Sequence, residues 1–249
     1  MSNAKLAGSN IVDFIPQSGA CPLGCPDCYY NLGVSENAEW IKAANHLSPQ
    51  DTANKIVRVN SGHDSNLCRD DTLILASPNS AVAFKHAFFN TSLPRFDFPR
   101  PVVFTANPGW MKWQFHEPAT HWKWDNLMFV RFLVPDLTIE TRIRLALAAK
   151  PYLARDLFIV LTFMRYTERP KKNYGYTQMN HFTHYWWAAT LPSRRCFLND
   201  MLRDEPTFQG RLGVCGGLDG DERCAACGIC ESTYWAWIAE KGLAKWAKP

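Results

Sequence analysis

The sequence predicts an α/β fold built on a parallel β-sheet, and three observations support that class. The strand candidates are short and almost continuously apolar, as burial on both faces of a parallel sheet requires. Helix candidates alternate with them over the first two thirds of the chain, which is typical of right-handed βαβ units. Of the 249 residues, 47% are hydrophobic and 20% charged, which excludes disordered, collagen-like and coiled-coil classes.

Strand and helix candidates can be located along most of the chain. Five strand candidates and a shorter sixth one are apolar runs: 11–15, 56–60, 101–105, 127–134, 157–163 and 211–214. Helix candidates cover 35–47, 80–89, 139–149 and 234–246. A further helical turn is predicted to begin at Ser48 and Pro49, which suit a cap and a first helical position. In the helix over 139–149, one aligned apolar face is formed by Ile139, Ile143, Ala146 and Leu147.

Charge and hydropathy indicate a cytoplasmic protein. The formal net charge of +4 permits an anionic partner without requiring one. No apolar run approaches the eighteen or so residues that a membrane helix needs. The first twenty residues contain Lys5 and Asp13 and no apolar block, so no signal peptide is predicted.

The nine cysteines are unevenly distributed, and this is the most informative feature of the sequence. In a reducing compartment, clustered cysteines more often bind metal or perform redox chemistry than form disulfides. Cys68 and Cys196 stand alone. The other seven form an amino-terminal and a carboxyl-terminal group: Cys21, Cys25 and Cys28; then Cys215, Cys224, Cys227 and Cys230.

The amino-terminal group has the spacing C-x3-C-x2-C on a Gly- and Pro-containing loop directly after the first strand candidate. Three thiolates on such a loop can hold a four-iron cluster and leave one iron open to a small molecule. This motif resembles the signature of the radical S-adenosylmethionine (SAM) enzymes. The resemblance implies a partial (β/α)6 barrel over 10–214, followed by a cysteine-rich, cluster-binding extension over 215–249. The alternative is a zinc site completed by a distant Cys or His.

The same resemblance implies residues that bind SAM. In the family, a Gly-Gly-Glu motif after the second strand receives the SAM amino group, and here Ser61-Gly62-His63-Asp64 occupies that place. For Gly62 the alternative is an ordinary tight turn after a strand. Arg131, on the fourth strand candidate, resembles the residue that meets the SAM carboxylate or ribose, and its alternative is a charge at a sheet edge or in a salt bridge. The expected cofactor contacts lie in the first loop, after the second and third strand candidates and on the fourth: Tyr29, Ser61, Gly62, Asp64, Asn107 and Arg131.

The carboxyl-terminal group combines C-x2-C-x2-C with a preceding Cys215. Four thiolates in this pattern resemble ferredoxin-type ligation and predict a second, auxiliary 4Fe-4S cluster that is closed to substrate. Zinc held by the same four thiolates is the alternative. A third interpretation leaves Cys215 unligated, which opens one coordination position.

The resemblance implies that SAM is cleaved reductively to a 5′-deoxyadenosyl radical, which abstracts hydrogen from a substrate. It also implies an electron-donating partner such as flavodoxin or ferredoxin. The aromatic and basic segment 110–125 favours a nucleoside or nucleic-acid base as substrate, unless its rings simply pack. The second expectation is an enzyme of the same class that acts on a peptide, a protein or a metabolite. The third is a protein without catalytic activity, either an iron–sulfur electron carrier or a zinc-stabilised nucleic-acid-binding module.

Overall fold

The computed structural model of the protein describes ten stretches of the chain: 4–17, 21–25, 47, 49–67, 69–76, 84–107, 114–165, 175–181, 184–219 and 223–241. Nearly all of the helix predicted over 35–47 lies outside them, as does the end of the helix predicted over 234–246. In the described stretches, every helix is too short or too polar to cross a membrane.

The main sheet has seven strands, and every pairing within it is parallel, which confirms the predicted α/β class. Six of its strands neighbour one another in chain order, and the seventh joins the far edge beside the sixth. In spatial order they are β1 (Ile11–Phe14), β2 (Ile56–Val59), β3 (Ala87–Thr91), β4 (Val102–Thr105), β5 (Leu127–Leu133), β6 (Phe158–Thr162) and β10 (Leu212–Val214).

A second, antiparallel sheet of three strands follows β6. Its strands are β7 (Met164–Arg165), β8 (Tyr176–His181) and β9 (His184–Ala189), with β9 in the middle. The α-helices are α1 (Pro49–Thr52), α2 (Arg69–Ala76), α3 (Ile139–Leu153), α4 (Leu191–Asp204), α5 (Cys224–Cys227) and α6 (Ile229–Lys241). Two short 3₁₀ helices, η1 (Ala4–Leu6) and η2 (Pro206–Phe208), complete the described elements.

Alternate residues of the main strands form two separate cores. On the outer face, Phe89, Phe104 and Phe132 pack with buried residues of α3 and α4. The inner face is defined by the strand residues that pack against α6: Ile11, Ile56, Phe88, Val103, Phe129 and Val160. Helix α6 covers this inner face with Tyr234, Trp237 and Ile238, so the carboxyl-terminal segment packs directly on the sheet.

The helix predicted over 80–89 is wrong where the structure describes it. Residues 87–91 form β3, because Phe88 and Phe89 project to opposite faces of the sheet and are fully buried in the inner and outer cores. A strand places one large ring in each core, which a helix at this position would not do. The strand predicted at 101–105 is therefore β4, and the prediction at 127–134 corresponds to β5.

Helix α3 confirms the helix predicted over 139–149 but turns its predicted apolar face outward. Ile139, Ile143 and Leu147 are exposed, at 67%, 52% and 60%. The buried stripe is instead Thr141, Leu145, Ala149, Tyr152 and Leu153. Tyr152 sets this rotation, since its ring packs on Phe104 and Phe132 and its hydroxyl donates to the carbonyl of His116 at 2.6 Å.

Candidate metal centres

The carboxyl-terminal cysteines are positioned by the last strand and two consecutive helices. Cys215 directly follows β10, Cys224 and Cys227 bound the single turn of α5, and Cys230 lies in the first turn of α6. Gly228 separates the two helices with φ of +62°, and its N–H donates to the carbonyl of Cys224 at 2.9 Å. A left-handed residue here ends α5 and lets α6 begin at once, so the chain supplies two thiols before the turn and one after it.

Three of the four cysteines, Cys215, Cys224 and Cys230, pack against the same inner core. In addition to burial, neighbouring thiolate charges raise the pKa of two of them: Cys215 and Cys227 act on Cys224, and Cys215 and Cys224 act on Cys230. The Cys227 thiol also lies 3.7 Å from the carbonyl oxygen of Val214, at the end of β10. Among the described residues, no three His, Cys, Asp or Glu side chains already stand at metal-ligand spacing.

Burial and neighbouring cations act in opposite directions on these thiols. Burial raises the pKa of Cys230 to about 12 and also raises the pKa of Cys224. At Cys215, burial also raises the pKa, but Lys5, Arg131 and Arg58 together outweigh it, so the net pKa is lowered. A metal ion would supply the positive charge that the other, partly buried thiolates need, which makes this donor set suitable for an iron–sulfur cluster or for zinc.

A polar layer lies on the inner face, one step beyond its apolar residues. Because strand side chains alternate, residues two positions after Ile11, Ile56 and Phe129 share their face. These positions are Asp13, Arg58 and Arg131, all within strands. Asp13 and Arg58 were not predicted as site residues, although a charge inside a short apolar strand was the available signal.

Asp13 and Arg58 form a bidentate ion pair within this layer. The guanidinium nitrogens lie 2.6 and 3.0 Å from the two carboxylate oxygens. The side chains are 2% and 13% exposed, so the pair is largely removed from water. Arg58 also lowers the pKa of Cys215, and therefore the inner polar layer and the carboxyl-terminal thiols share one electrostatic environment.

The polar layer also carries buried atoms that have no hydrogen-bond partner in the described part of the chain. They are Asn90 Oδ1, Arg131 Nε and Thr162 Oγ1, on β3, β5 and β6. By strand alternation all three project from the inner face. Gln17 Oε1 and Asn60 Oδ1, after β1 and β2, are in the same condition. Native proteins rarely leave such groups unsatisfied, so this concentration fits a ligand-binding region.

The amino-terminal cysteines lie on the loop after β1, where the sequence predicts them. Cys21 is buried and Cys25 is half-buried. A turn links them, in which the N–H of Gly24 donates to the carbonyl of Cys21 at 3.1 Å and Gly24 has φ of +54°. Cys28 and Tyr29 lie outside the described residues.

The predicted SAM residues after β2 lie in a tightly folded loop. Ser61 is half-buried and Gly62 is buried, and both follow Asn60, whose φ of 59° turns the chain at the end of β2. Asp64 is 2% exposed, and its carboxylate accepts from the N–H of Asn66, the hydroxyls of Thr91 and Ser92, and the N–H of Ser92. Four donors hold Asp64, so it fastens this loop to the loop after β3.

Asn107 and Arg131 come from neighbouring strands but have different surroundings. The Asn107 amide bonds both the N–H and the carbonyl of Leu133, each at 2.8 Å, and so joins the loop after β4 to the end of β5. The charge of Arg131 acts to lower the pKa of both Cys215 and Cys230. The structure therefore associates Arg131 with the carboxyl-terminal thiols, which its position in the sequence did not indicate.

The aromatic segment 110–125 packs into the outer core where it is described. Trp122 lies against Phe96 and Phe104 at ring-centroid distances of 5.6 and 5.9 Å, and Trp124 lies 5.8 Å from Tyr152. These rings belong to the outer face, opposite the cysteines. Packing is thus the role of the described tryptophans, and they give no support to a nucleobase site.

Comparisons with protein families, with curated proteins and with solved structures found no match to this chain. The function therefore has to be inferred from the residues and geometry of the two cysteine groups.

Proposed function

We propose that the protein is a radical SAM enzyme with a second, auxiliary iron–sulfur cluster. The observation that carries this proposal is the position of Cys21 and Cys25 on the loop directly after β1, at the carboxyl edge of an all-parallel sheet. Ligands of parallel α/β folds bind at this edge of the strands. The C-x3-C-x2-C spacing adds Cys28 as the third ligand.

The strand order supports a partial barrel. A doubly wound sheet reverses its direction of growth, whereas a (β/α) barrel adds strands in chain order, as β1 to β6 do here. In a flat sheet of seven strands, β1 and β10 would be about 29 Å apart. Yet Lys5, shortly before β1, contacts Cys215 after β10 at 3.7 Å. A sheet curled around α6 accounts for this contact.

The polar layer supports a bound cofactor on the inner face. Asn90 Oδ1 can accept a hydrogen bond, Arg131 Nε can donate one and Thr162 Oγ1 can do both. SAM carries an amino group, a carboxylate and ribose hydroxyls, which are partners of these kinds. We expect Asn90 and Thr162 to contact the cofactor together with Ser61 and Gly62, and Arg131 to stand between the cofactor and the second centre.

A cluster held by Cys21, Cys25 and Cys28 would supply the electron that cleaves SAM and gives the 5′-deoxyadenosyl radical. The chain's own contribution is to supply three thiolates within eight residues of sequence, to orient the cofactor along the inner face and to exclude water beneath it. The apolar layer of the inner face and α6 provide that exclusion. The electron donor is proposed to be a flavodoxin- or ferredoxin-like protein.

The test is anaerobic reconstitution followed by reduction in the presence of SAM. We expect about eight irons per chain, four for each cubane cluster, and formation of 5′-deoxyadenosine, a product that needs no knowledge of the substrate. Cys25→Ala should abolish the product. Cys196→Ala is the matched control, since Cys196 is an exposed, isolated cysteine on α4, and this variant should behave as the unaltered protein. Undiminished product from Cys25→Ala would refute the proposal.

A further inference from the structure

The segment before β1 carries a cation into the carboxyl-terminal thiol group. The Lys5 ammonium lies 3.7 Å from the sulfur of Cys215 and 3.9 Å from the sulfur of Met164. These contacts join positions 210 and 159 residues apart in the sequence. The fold therefore places one ammonium group beside sulfur atoms from two different strand ends.

Lys5 is held in this position by its neighbours. It is the central residue of η1, whose next residue, Leu6, is buried in the inner core. The hydroxyl and the N–H of Ser9 both donate to the carbonyl of Leu6, at 2.8 and 2.9 Å. A Cβ at Gly8 would lie 3.7 Å from that of Ala225, so the segment passes close to α5. These contacts hold the backbone of this segment beside α5, within reach of the thiol site for the Lys5 side chain.

The other nearby cations differ from Lys5 in what they contact. Arg58 donates two hydrogen bonds to Asp13, and the Asp13 carboxylate offsets most of its positive charge. Arg131 lies 5.9 Å from the ring of Phe129, measured from its guanidinium carbon to the ring centre. Lys5 contacts a thiol directly, and an N–H donor on a ligand sulfur is one of the features that set a cluster's reduction potential.

We propose that Lys5 donates a charge-assisted hydrogen bond to the Cys215 sulfur and thereby raises the reduction potential of the carboxyl-terminal cluster. This inference rests on the proposed function, because it requires that this group holds iron and sulfide. Adding an electron makes a four-thiolate cluster more negative, so a neighbouring ammonium stabilises the reduced form more than the oxidised form. Without Lys5 the cluster becomes harder to reduce.

The experiment isolates the second cluster in the full-length chain. In a background of Cys21→Ala, Cys25→Ala and Cys28→Ala, the one-electron midpoint potential is measured by redox titration followed by electron paramagnetic resonance. Lys5→Met should lower the equilibrium constant for reduction at least tenfold, which is about 59 mV for one electron. Lys5→Arg keeps the charge and an N–H donor and should restore most of the potential.

Lys55→Met is the matched control. The Lys55 ammonium donates to the carbonyl of Ser9 at 3.2 Å, so it contacts the same segment through a backbone oxygen instead of a thiol. It should leave the potential unchanged. An unchanged potential in Lys5→Met at full iron content overturns the inference, as does an equal shift in Lys55→Met. Zinc instead of iron at this site overturns both the inference and the proposed auxiliary cluster. The amino-terminal site is tested separately, by 5′-deoxyadenosine formation in the unaltered chain.

Discussion

The two cysteine groups differ in the kind of backbone that carries them. Cys21 and Cys25 lie on a turn after β1, with Gly24 in a left-handed conformation between them. The carboxyl-terminal thiols are supplied by the end of β10 and by α5 and α6, and three of them, Cys215, Cys224 and Cys230, pack against the inner core. We infer that the first group suits a centre with an exchangeable ligand, and the second a centre that is fully ligated and contributes to stability.

The largest expected effect is a difference in 5′-deoxyadenosine formation between variants of the two cysteine groups. Cys230→Ala should remove about four of eight irons and leave 5′-deoxyadenosine formation detectable, whereas Cys25→Ala should abolish that product. Cys230 lies in the first turn of α6 and packs against the inner core, so its loss should also lower the thermal stability. Iron analysis, product assay and thermal unfolding of both variants check the comparison. Equal loss of product in the two variants would contradict it.

The buried ion pair of Asp13 and Arg58 should contribute far more to the free energy of unfolding than the more exposed pair of Lys150 and Glu205. Arg58→Met leaves the buried Asp13 without its bidentate partner, which should lower the free energy of unfolding by about 3–5 kcal/mol. Lys150→Met removes a half-exposed partner of Glu205 and should cost at most about 1 kcal/mol. Denaturant unfolding measures both. Equal costs would show that the inner polar layer is more hydrated than its burial indicates.

Two glycines provide a matched pair for the two groups. Gly24 and Gly228 have φ of +54° and +62°, and a Cβ at either position would meet no atom of the described residues within 4 Å. Alanine therefore imposes only a backbone cost of about 1–2 kcal/mol. Gly228→Ala should lower the free energy of unfolding by that amount, while Gly24→Ala should chiefly reduce amino-terminal iron and product. The reverse assignment would exchange the roles inferred for the two groups.

The smallest expected effect concerns an unsatisfied hydroxyl. Thr162→Val removes a buried Oγ1 that has no partner in the described part of the chain. The free energy of unfolding should rise by about 1 kcal/mol, while the affinity for SAM falls. Thermal unfolding with and without SAM gives both values. A loss of stability in the ligand-free protein would mean that the hydroxyl serves the fold instead of the cofactor.

Some strands could be predicted from local pattern, and the reasons for the failures are physical. The runs at β2 and β5 are rich in β-branched and aromatic residues, so they indicate buried strands by themselves. The run at β3 does not, because Phe88 and Phe89 also suit a buried helix. In α3, two apolar stripes compete, and the docking of Tyr152 on the sheet decides between them.

The site divides in the same way. Cysteine spacing identifies both groups because each is compact in sequence. Lys5 could not be predicted, since its contact with Cys215 spans the whole parallel sheet. Arg131 was predicted as a cofactor residue from the family resemblance, and its effect on the pKa of Cys215 and Cys230 depends on how α6 covers the inner face. Contacts between residues far apart in the sequence therefore decide which charged side chains lie near the thiols, and local motifs do not predict them.

The most direct test of the central claim is the electron paramagnetic resonance spectrum of each reduced cluster with and without SAM. One variant retains only the amino-terminal cysteines and the other only Cys215, Cys224, Cys227 and Cys230. If the amino-terminal cluster has an open iron, SAM changes its spectrum and leaves that of the carboxyl-terminal cluster unchanged. A spectrum of the amino-terminal cluster that is insensitive to SAM, or a change confined to the carboxyl-terminal cluster, would contradict the account.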